Sequence, residues 1–308
     1  MSTARWAPRD TAAVEAIDLR QLRTFEAVAR TGSFTAAAAE LAYTQSAVSQ
    51  HVAALEAATG QRLLTRRPVA LTAAGARLAA HARHILLRLD VARTELVDRE
   101  PDPATLVLAV TPTAVTDDVA ALLQRFRGLR PATLLDVRVM DEQECVRHLA
   151  GGGADVALVD GVTTVNQPFT ATEPGVLVRR LVSEQPILAL LPVAHPLAGC
   201  ADVDLAVLRD ARWINAPHLR CDPGIVPGST GSPATGRLRY DSHDLAGLLR
   251  LVAHHLGLAL IPQGLLVHHP GVAAVPLRSP ALRHRVELLH LPGRTATARP
   301  LLDALPVR

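Results

Sequence analysis

Thr44, Gln45, Ser46, Ser49 and Gln50 crowd into the stretch TQSAVSQ. On a helix that enters a major groove N-terminus first, side chains of this kind in the first turns meet base edges and phosphates. Val48, Val52 and Leu55 recur at spacings of four and three on the opposite side and form one stripe to be buried. Arg66 and Arg67 follow with Pro68 at the tip of a short hairpin-like stretch, Leu63 to Thr72. Arginine there can pair with backbone phosphates, adding affinity and register without naming a base sequence. A plain helical hairpin with a solvated face would also carry such a polar side.

Composition removes several other chemistries. All 32 basic side chains are arginine, since the chain has no lysine. A Walker phosphate loop, a pyridoxal-phosphate Schiff base and a Ser-Lys dyad each need an amine that is not there, although coding bias also accounts for the missing lysine. No G-x-S-x-G elbow, H-E-x-x-H helix or G-x-G-x-x-G fingerprint occurs, which leaves an enzymatic reading little to stand on. Three widely spaced cysteines, Cys145, Cys200 and Cys221, fit a reducing compartment better than a disulfide framework. No stretch approaches the roughly 18 apolar residues of a membrane span, so a cytoplasmic protein is expected. With 308 residues and 49% hydrophobic content, the chain can fill two or more cores. The net charge of +3 is mild, so contact with nucleic acid must come from local clustering. Such a cluster exists between Arg62 and Asp90, where Arg62, Arg66, Arg67, Arg77, Arg83 and Arg88 face Asp90 alone.

The elements that would hold the polar helix are legible around it. Asp18 can cap a first helix carrying Leu22, Phe25, Val28 and Ala29 as far as Gly32. Ser33 caps a second, alanine-dense helix, Phe34 to Leu41, and Thr44 caps the third. The block TGSFTAAAAELAYTQSAVSQHVAALEAATGQRLLTRRPVALTAAG, within Leu19 to Gly75, closely resembles the winged helix-turn-helix of LysR-type transcriptional regulators. Leu64 stands where that family usually has phenylalanine, and the wing is a residue or two shorter than is common. Residues 1–16 read as a loose arm; a minor-groove role for Arg5 and Arg9 is the alternative to a disordered leader.

From Thr72 a helix runs to about Glu100, ended by Pro101 and Pro103. Leu71, Gly75, Leu78, Ala82, Ile85, Leu89, Ala92 and Leu96 make a heptad seam on it, which predicts pairing with a second copy. Dimerisation is therefore assigned to Leu78, Ala82, Ile85, Leu89, Ala92 and Leu96. Packing of the same stripe onto its own domain is the alternative.

After a hinge at Asp102-Pro103 the period changes. Strands at Thr105 to Val110, Leu134 to Met140 and Asp155 to Val159 alternate with helices near Val119 to Phe126 and Glu142 to Ala150, which implies a parallel sheet. A second such unit begins near Ser183, with strands near Ile187 to Leu191, Arg212 to Asn215, Arg237 to Tyr240 and Leu258 to Ile261 and a helix from Asp244 to His255. Ala216 to Thr235 is a candidate lid or rim. Late strands, Val272 to Leu277 and Val286 to Leu291, are expected to return the chain to the first lobe. The layout, with fragments such as ILALLPVAHPLAG and LVAHHLGLALIP, is similar to the effector domain of the same family.

The expected fold is α/β: an N-terminal winged helix-turn-helix (17–74), a long linker helix (75–101) and a two-lobed periplasmic-binding-protein-like effector domain (102–308). Lobe 1 is placed at about 102–181 and 278–308, and lobe 2 at about 182–277. Ligands in such sheets gather beside helix N-termini, which favour anions. Thr111, Thr113, Thr163, Asn215 and Ser242 are the candidate effector-binding residues, with helix capping as the alternative use of their polar groups. Arg220 and Trp213 could meet a carboxylate and a ring, although tryptophan is equally at home in a core. His254-His255 point about 100° apart on a helix and do not suit one ion, and His81 and His84 read as solvated, so no metal and no cofactor are expected. The resemblance implies a homodimer or homotetramer on double-stranded promoter DNA, a small-molecule effector, and RNA polymerase as a partner if the protein activates. An enzyme built on the two-lobed domain and an architectural DNA binder that ignores small molecules are the competing classes.

Overall fold

The computed structural model describes residues 17–96, 104–164, 176–219, 238–279, 281–292 and 295–305. The N-terminal arm, the hinge at Asp102-Pro103, Arg220, Cys221 and most of the candidate lid lie outside these residues. The chain divides into two compact units, Met1–Ala92 and Arg93–Arg308.

In the first unit, α1 (Leu19–Thr31) starts at Asp18, whose carboxylate accepts from Arg20 N at 2.8 Å, and stops at Gly32, where φ is 64°. Helix α2 (Phe34–Glu40) is capped by Ser33, and α3 (Gln45–Thr59) by Thr44, whose hydroxyl oxygen accepts from Ala47 N at 3.2 Å. Leu22, Phe25, Val28, Ala37, Ala38, Val48, Val52 and Leu55 form one core at the meeting of the three helices. Each buried leucine, valine or phenylalanine contributes about 1.5–3 kcal/mol relative to exposure. The wing follows as β1 (Leu64–Arg66) and β2 (Val69–Leu71), paired antiparallel. Glu56 of α3 ties it down, its Oε1 accepting from Leu63 N at 2.8 Å and Leu64 N at 3.2 Å.

Helix α4 (Ala73–Leu96) corrects the single-seam expectation. Gly75 and Ala82 are buried inside the same unit, Ala79 and Ala82 belong to the three-helix core, and Leu78 packs against it. A side chain that is wholly enclosed by its own subunit cannot reach a partner, so Ala82 is withdrawn as a dimer contact and Leu78 contributes at most an edge. The C-terminal half behaves differently: Ile85 is 47% and Leu96 85% exposed, Leu89 is half-buried and Ala92 is exposed. The stripe therefore changes partner part-way along the helix, because the first turns lie against the wing and the later ones do not.

The second unit is built on an eight-stranded sheet in the order β4-β3-β5-β12-β6-β11-β7, with β10 also paired to β6. Strand β3 (Thr105–Val110) lies parallel between β4 (Leu134–Val139) and β5 (Val156–Thr164), linked by α5 (Asp117–Leu129) and α6 (Glu142–Ala150). Strand β6 (Val178–Pro192) is one 15-residue strand where the sequence suggested only its second half. Its first part pairs with β12 (Leu282–His290), and Ile187 to Pro192 pair with β10 (Ala259–Pro262) and β11 (Val272–Ser279). One strand thus serves both lobes. The return path also differs from expectation: β11 stays in the second lobe, between β6 and β7 (Val203–Asp204), and β12 alone goes back. A small parallel pair, β8 (Ile214–Asn215) and β9 (Leu238–Arg239), and α7 (Leu245–Ala253) complete the second lobe, while α8 (Thr295–Asp303) packs on the first.

A Cβ on Gly75 would stand 2.0 Å from the carbonyl oxygen of Leu63. Gly75→Ala should therefore push the wing from α4 and lower unfolding free energy by about 1–3 kcal/mol. Urea unfolding of the full chain followed by circular dichroism measures this, and an unchanged transition would mean that the two backbones separate freely.

Candidate nucleic-acid interface and ligand junction

Burial of Val48, Val52 and Leu55 fixes the rotation of α3 and leaves Thr44, Gln45, Ser46 and Gln50 exposed and Ser49 half-buried. The Thr44 and Ser46 hydroxyls lie 2.9 Å apart, both at the N-terminal end of the helix. Gly60, with φ 63°, ends α3 and sends the chain into the wing. Arg67 and Pro68 form the exposed turn of that wing, whereas Arg66 belongs to β1 and its guanidinium carbon sits 5.9 Å from the centre of the Phe34 ring. Stacking on an aromatic face restrains a long side chain that would otherwise be mobile. Tyr43 and His51, which sequence reasoning passed over, stand edge to face at the same end, with ring centres 5.3 Å apart.

In the second unit the sheet carries a polar layer where the cores of the two lobes meet. Asp160 on β5 and His284 on β12 have no solvent exposure, and His284 Nε2 lies 2.7 Å from Asp160 Oδ2. Thr113 Oγ1 donates to Asp160 Oδ2 at 2.7 Å and Thr111 Oγ1 donates to Oδ1. Burial by itself would raise the Asp160 carboxyl. The hydrogen bond and charge of His284, with the two threonine hydroxyls, outweigh that and hold it below the ordinary carboxylate range. His284 Nδ1 is buried without a hydrogen-bond partner.

Neighbouring strands extend this layer. Val286 pairs with Asp160 on one side and Ser183 on the other, and His284 pairs with Val162 and Gln185, so these side chains share one face of the sheet. Ser183 Oγ and Gln185 Nε2 both donate to Asp118 Oδ2, and Gln185 Oε1 accepts from Gly264 N of the second lobe at 2.7 Å. The turn Pro112–Ala114 touches the turn Pro217–Leu219. His218, in the latter turn, lies 2.6 Å from Asp241 and packs edge to face on His243. Its hydrogen bond, with the charge of Arg239 adding to it, holds the Asp241 carboxyl below its ordinary range.

Of the five effector candidates, only Thr111 and Thr113 come together, and their hydroxyl protons go to Asp160. Thr163 falls on the opposite face of β5 from Asp160, because successive side chains alternate. Ser242 accepts from Asp244 N at 3.1 Å, closing the turn into α7, which is the capping use of its hydroxyl. Asn215 has a buried Oδ1 with no partner. Trp213 is 5% exposed and its Nε1 donates to Leu208 O at 3.1 Å, so it is core and does not recognise a ring. The expected attraction for an anion also changes sign here. Asp117 and Asp118 occupy the first turn of α5, so carboxylates of the protein already sit at the positive end of the helix. Cys145 is buried, and burial with the carboxylates of Asp141, Glu142 and Glu144 pushes its thiol up to about 12, far from a reactive thiolate. Among the described residues no group of three His, Cys, Asp or Glu is placed to hold a metal ion, and no helix is long and apolar enough to cross a membrane.

Asp160 and His284 escaped notice because they fall just beyond the apolar runs read as strands, Asp155 to Val159 and Val286 to Leu291, whereas the strands themselves run Val156–Thr164 and Leu282–His290. The available signal was a lone acid ending the apolar run VALVD, since ionisable groups are rarely enclosed without a partner.

Residues 19–76 match the model of the bacterial regulatory helix-turn-helix protein, lysR family, and residues 99–306 match the LysR substrate binding domain. The chain belongs to the LysR family. It is 32% identical to the uncharacterized HTH-type transcriptional regulator YnfL of Escherichia coli K12, over 84% of this chain and 82% of that one. It is also 33% identical to a probable hydrogen peroxide-inducible genes activator of Streptomyces viridosporus, over 79% and 77% of the two chains. Among solved structures, the LysR family regulator HinK from Pseudomonas aeruginosa matches with a TM-score of 0.52 at 23% identity, covering 93% of this chain and 96% of HinK. Full-length CbnR in complex with its target DNA matches with a TM-score of 0.50 at 20% identity, covering 94% and 99%. At those identities the likeness concerns fold. This LysR-family chain is thus a DNA-binding regulator of transcription with an effector-binding substrate domain, from a family of regulators and not of enzymes.

Asp160→Asn should cost on the order of 3 kcal/mol of stability near neutral pH, because it breaks a fully buried pair. A carboxyl depressed in the folded state stabilises above the unfolded value of about 4 and ceases to do so as pH falls through the folded value. The gap between wild type and Asp160→Asn in urea unfolding should accordingly be full at pH 6 and close progressively in acid. A gap independent of pH would show that Asp160 is not ionised in the fold.

Proposed function

We propose that this LysR-type regulator reads promoter DNA with the N-terminal turns of α3, through Thr44, Gln45, Ser46, Ser49 and Gln50. Arg66 and Arg67 of the wing hold the flanking phosphates. The observation that carries this reading is the division of α3 into a sealed apolar face and a bare polar one at its N-terminal end.

We place the domain limits at 17–74, 75–101 and 102–308; family matches over 19–76 and 99–306 support the first and last of these. The small-molecule effector binds where the two lobes meet, beside Thr111, Thr113 and Asn215. Neither Thr163 nor Ser242 belongs to the binding set. The carboxylates already present there favour a neutral or cationic effector over an anion. Binding shifts an equilibrium between lobe arrangements by its differential affinity for them. The homo-oligomer is a dimer or a dimer of dimers joined through Ile85, Leu89, Ala92 and Leu96. Work in the cytoplasm, and contact with RNA polymerase where the protein activates, complete the reading.

Ser46→Ala combined with Gln50→Ala should abolish preference for the chain's own upstream region, by about 2–6 kcal/mol if each side chain makes a base contact. Gel-shift titration at fixed salt against a scrambled duplex measures it, and retained preference would sink the assignment. For the assembly, Ile85→Asp should yield monomers in sedimentation velocity with the circular dichroism spectrum unchanged. An intact oligomer would move the interface elsewhere.

A further inference from the structure

Thr111 precedes the turn Pro112–Ala114 after β3, yet its side chain does not cap that turn. A threonine hydroxyl has one proton to give. Thr113 Oγ1 gives it to Asp160 Oδ2 at 2.7 Å, and Thr111 Oγ1 gives it to Oδ1 in preference to Leu158 O, which lies at 3.4 Å. An ionised carboxylate only accepts. The 2.7 Å contact between His284 Nε2 and Asp160 Oδ2 therefore requires a hydrogen on that nitrogen, whether or not the other ring nitrogen carries one. Three donors converge on one carboxylate, and both of its oxygens are taken.

Such a set of donors is what a free organic acid needs. Hydrogen bonds to a carboxylate are charge-assisted, and they strengthen where water is excluded. Here the acid comes from β5 of the same chain and has no solvent exposure. A tethered group binds as an intramolecular partner, at an effective concentration set by its tether. The carboxylate also stands behind a contact between lobes, since the turn that carries Thr113 touches the Pro217–Leu219 turn of the second lobe. Of the neighbouring donors, Ser183 Oγ and Gln185 Nε2 likewise serve a carboxylate of the chain, that of Asp118.

We propose that Asp160 is a built-in ligand: its carboxylate fills an acid-binding cradle made by Thr111, Thr113 and His284, sets the turn after β3 against the second lobe without any effector, and excludes carboxylic acids from that place. The cradle stands on these hydrogen bonds alone. What it says of the effector, namely that it is not a carboxylic acid, rests on the reading that the effector binds at the lobe junction.

The test frees the cradle and offers it a detached acid. Asp160→Gly removes the CH2–COO⁻ group, and formate, a carboxylate small enough for that space, is the probe, with chloride at equal ionic strength as reference. Urea unfolding of the full chain at pH 7 is followed by circular dichroism. At ten times its dissociation constant, formate should raise the folded-to-unfolded ratio of Asp160→Gly about tenfold, and the gain should saturate. Wild type and Asp160→Asn, whose cradles are full, should respond to formate as they do to chloride. Amide hydrogen exchange over 216–219, in the other lobe, should be faster in Asp160→Gly and return to the wild-type rate in formate. If Asp160→Gly does not fold in plain buffer, the folded fraction that formate restores gives the same reading. No saturable gain, or an equal gain in wild type, overturns the cradle, and unchanged exchange over 216–219 overturns its hold on the second lobe. Acetate, succinate and benzoate are then screened for an effect on the wild-type gel shift, where none should act. An acid that acts on wild type and fails on Thr111→Val has entered the cradle, against the proposal. One that acts equally on both binds elsewhere, and it is then the junction reading that fails.

Discussion

Val48, Val52 and Leu55 are sealed in the three-helix core, and a helix held by one stripe has only one rotation available to it. That rotation puts Thr44, Gln45, Ser46 and Gln50 in the open. The rest of the first unit serves the same orientation. Leu22, Phe25 and Val28 supply the surface onto which the stripe closes, and Ala37 and Ala38 are small enough to let α2 come close. Glu56 then fastens the wing to the far end of α3 through two backbone N–H groups, so the arginines of the wing keep a fixed place relative to the reading helix. A head built this way presents hydrogen-bonding groups on a rigid base, which is what discrimination between base pairs requires.

Helix α4 answers two demands with one amphipathic pattern. Its first turns must finish the core of the head, so Gly75 meets the Leu63 backbone and Ala79 and Ala82 lie inside. Its later turns carry apolar side chains that the described residues leave exposed, Ile85 and Leu96 above all. Exposed apolar positions repeating at helical spacing are the ordinary mark of a helix that pairs.

In the second unit, a carboxylate enclosed between two apolar cores has to be satisfied by neighbours, because water cannot reach it. Asp160 draws on Thr111, Thr113 and His284, which come from the β3 turn and from the strand that carries the chain back between lobes. The polar layer, continued by Ser183, Gln185 and Asp118, therefore lies where the two lobes are joined. A regulator needs such a place, since a buried network has discrete arrangements and resists intermediate ones.

Local chemistry was enough to read the head. Caps at Asp18, Ser33 and Thr44, left-handed glycines at Gly32 and Gly60, and the 48-52-55 stripe all depend on residues within a few positions of each other, and the helices form where that pattern places them. The parallel strands β3, β4 and β5 were legible for the same reason. The full length of β6, the place of β11, the face on which Thr163 falls and the meeting of Asp160 with His284, 124 positions away, were not. Strand pairing joins residues distant in the chain, and a strand carries its partner's identity only as an apolar pattern that many partners would satisfy. Sequence by itself determined that this chain has a winged helix-turn-helix head, a long helix with an apolar stripe and a two-lobed α/β body. Only tertiary structure decided which half of that helix keeps its apolar stripe exposed and which side chains meet at the lobe junction, because enclosure is a property of what surrounds a residue and not of the residue itself.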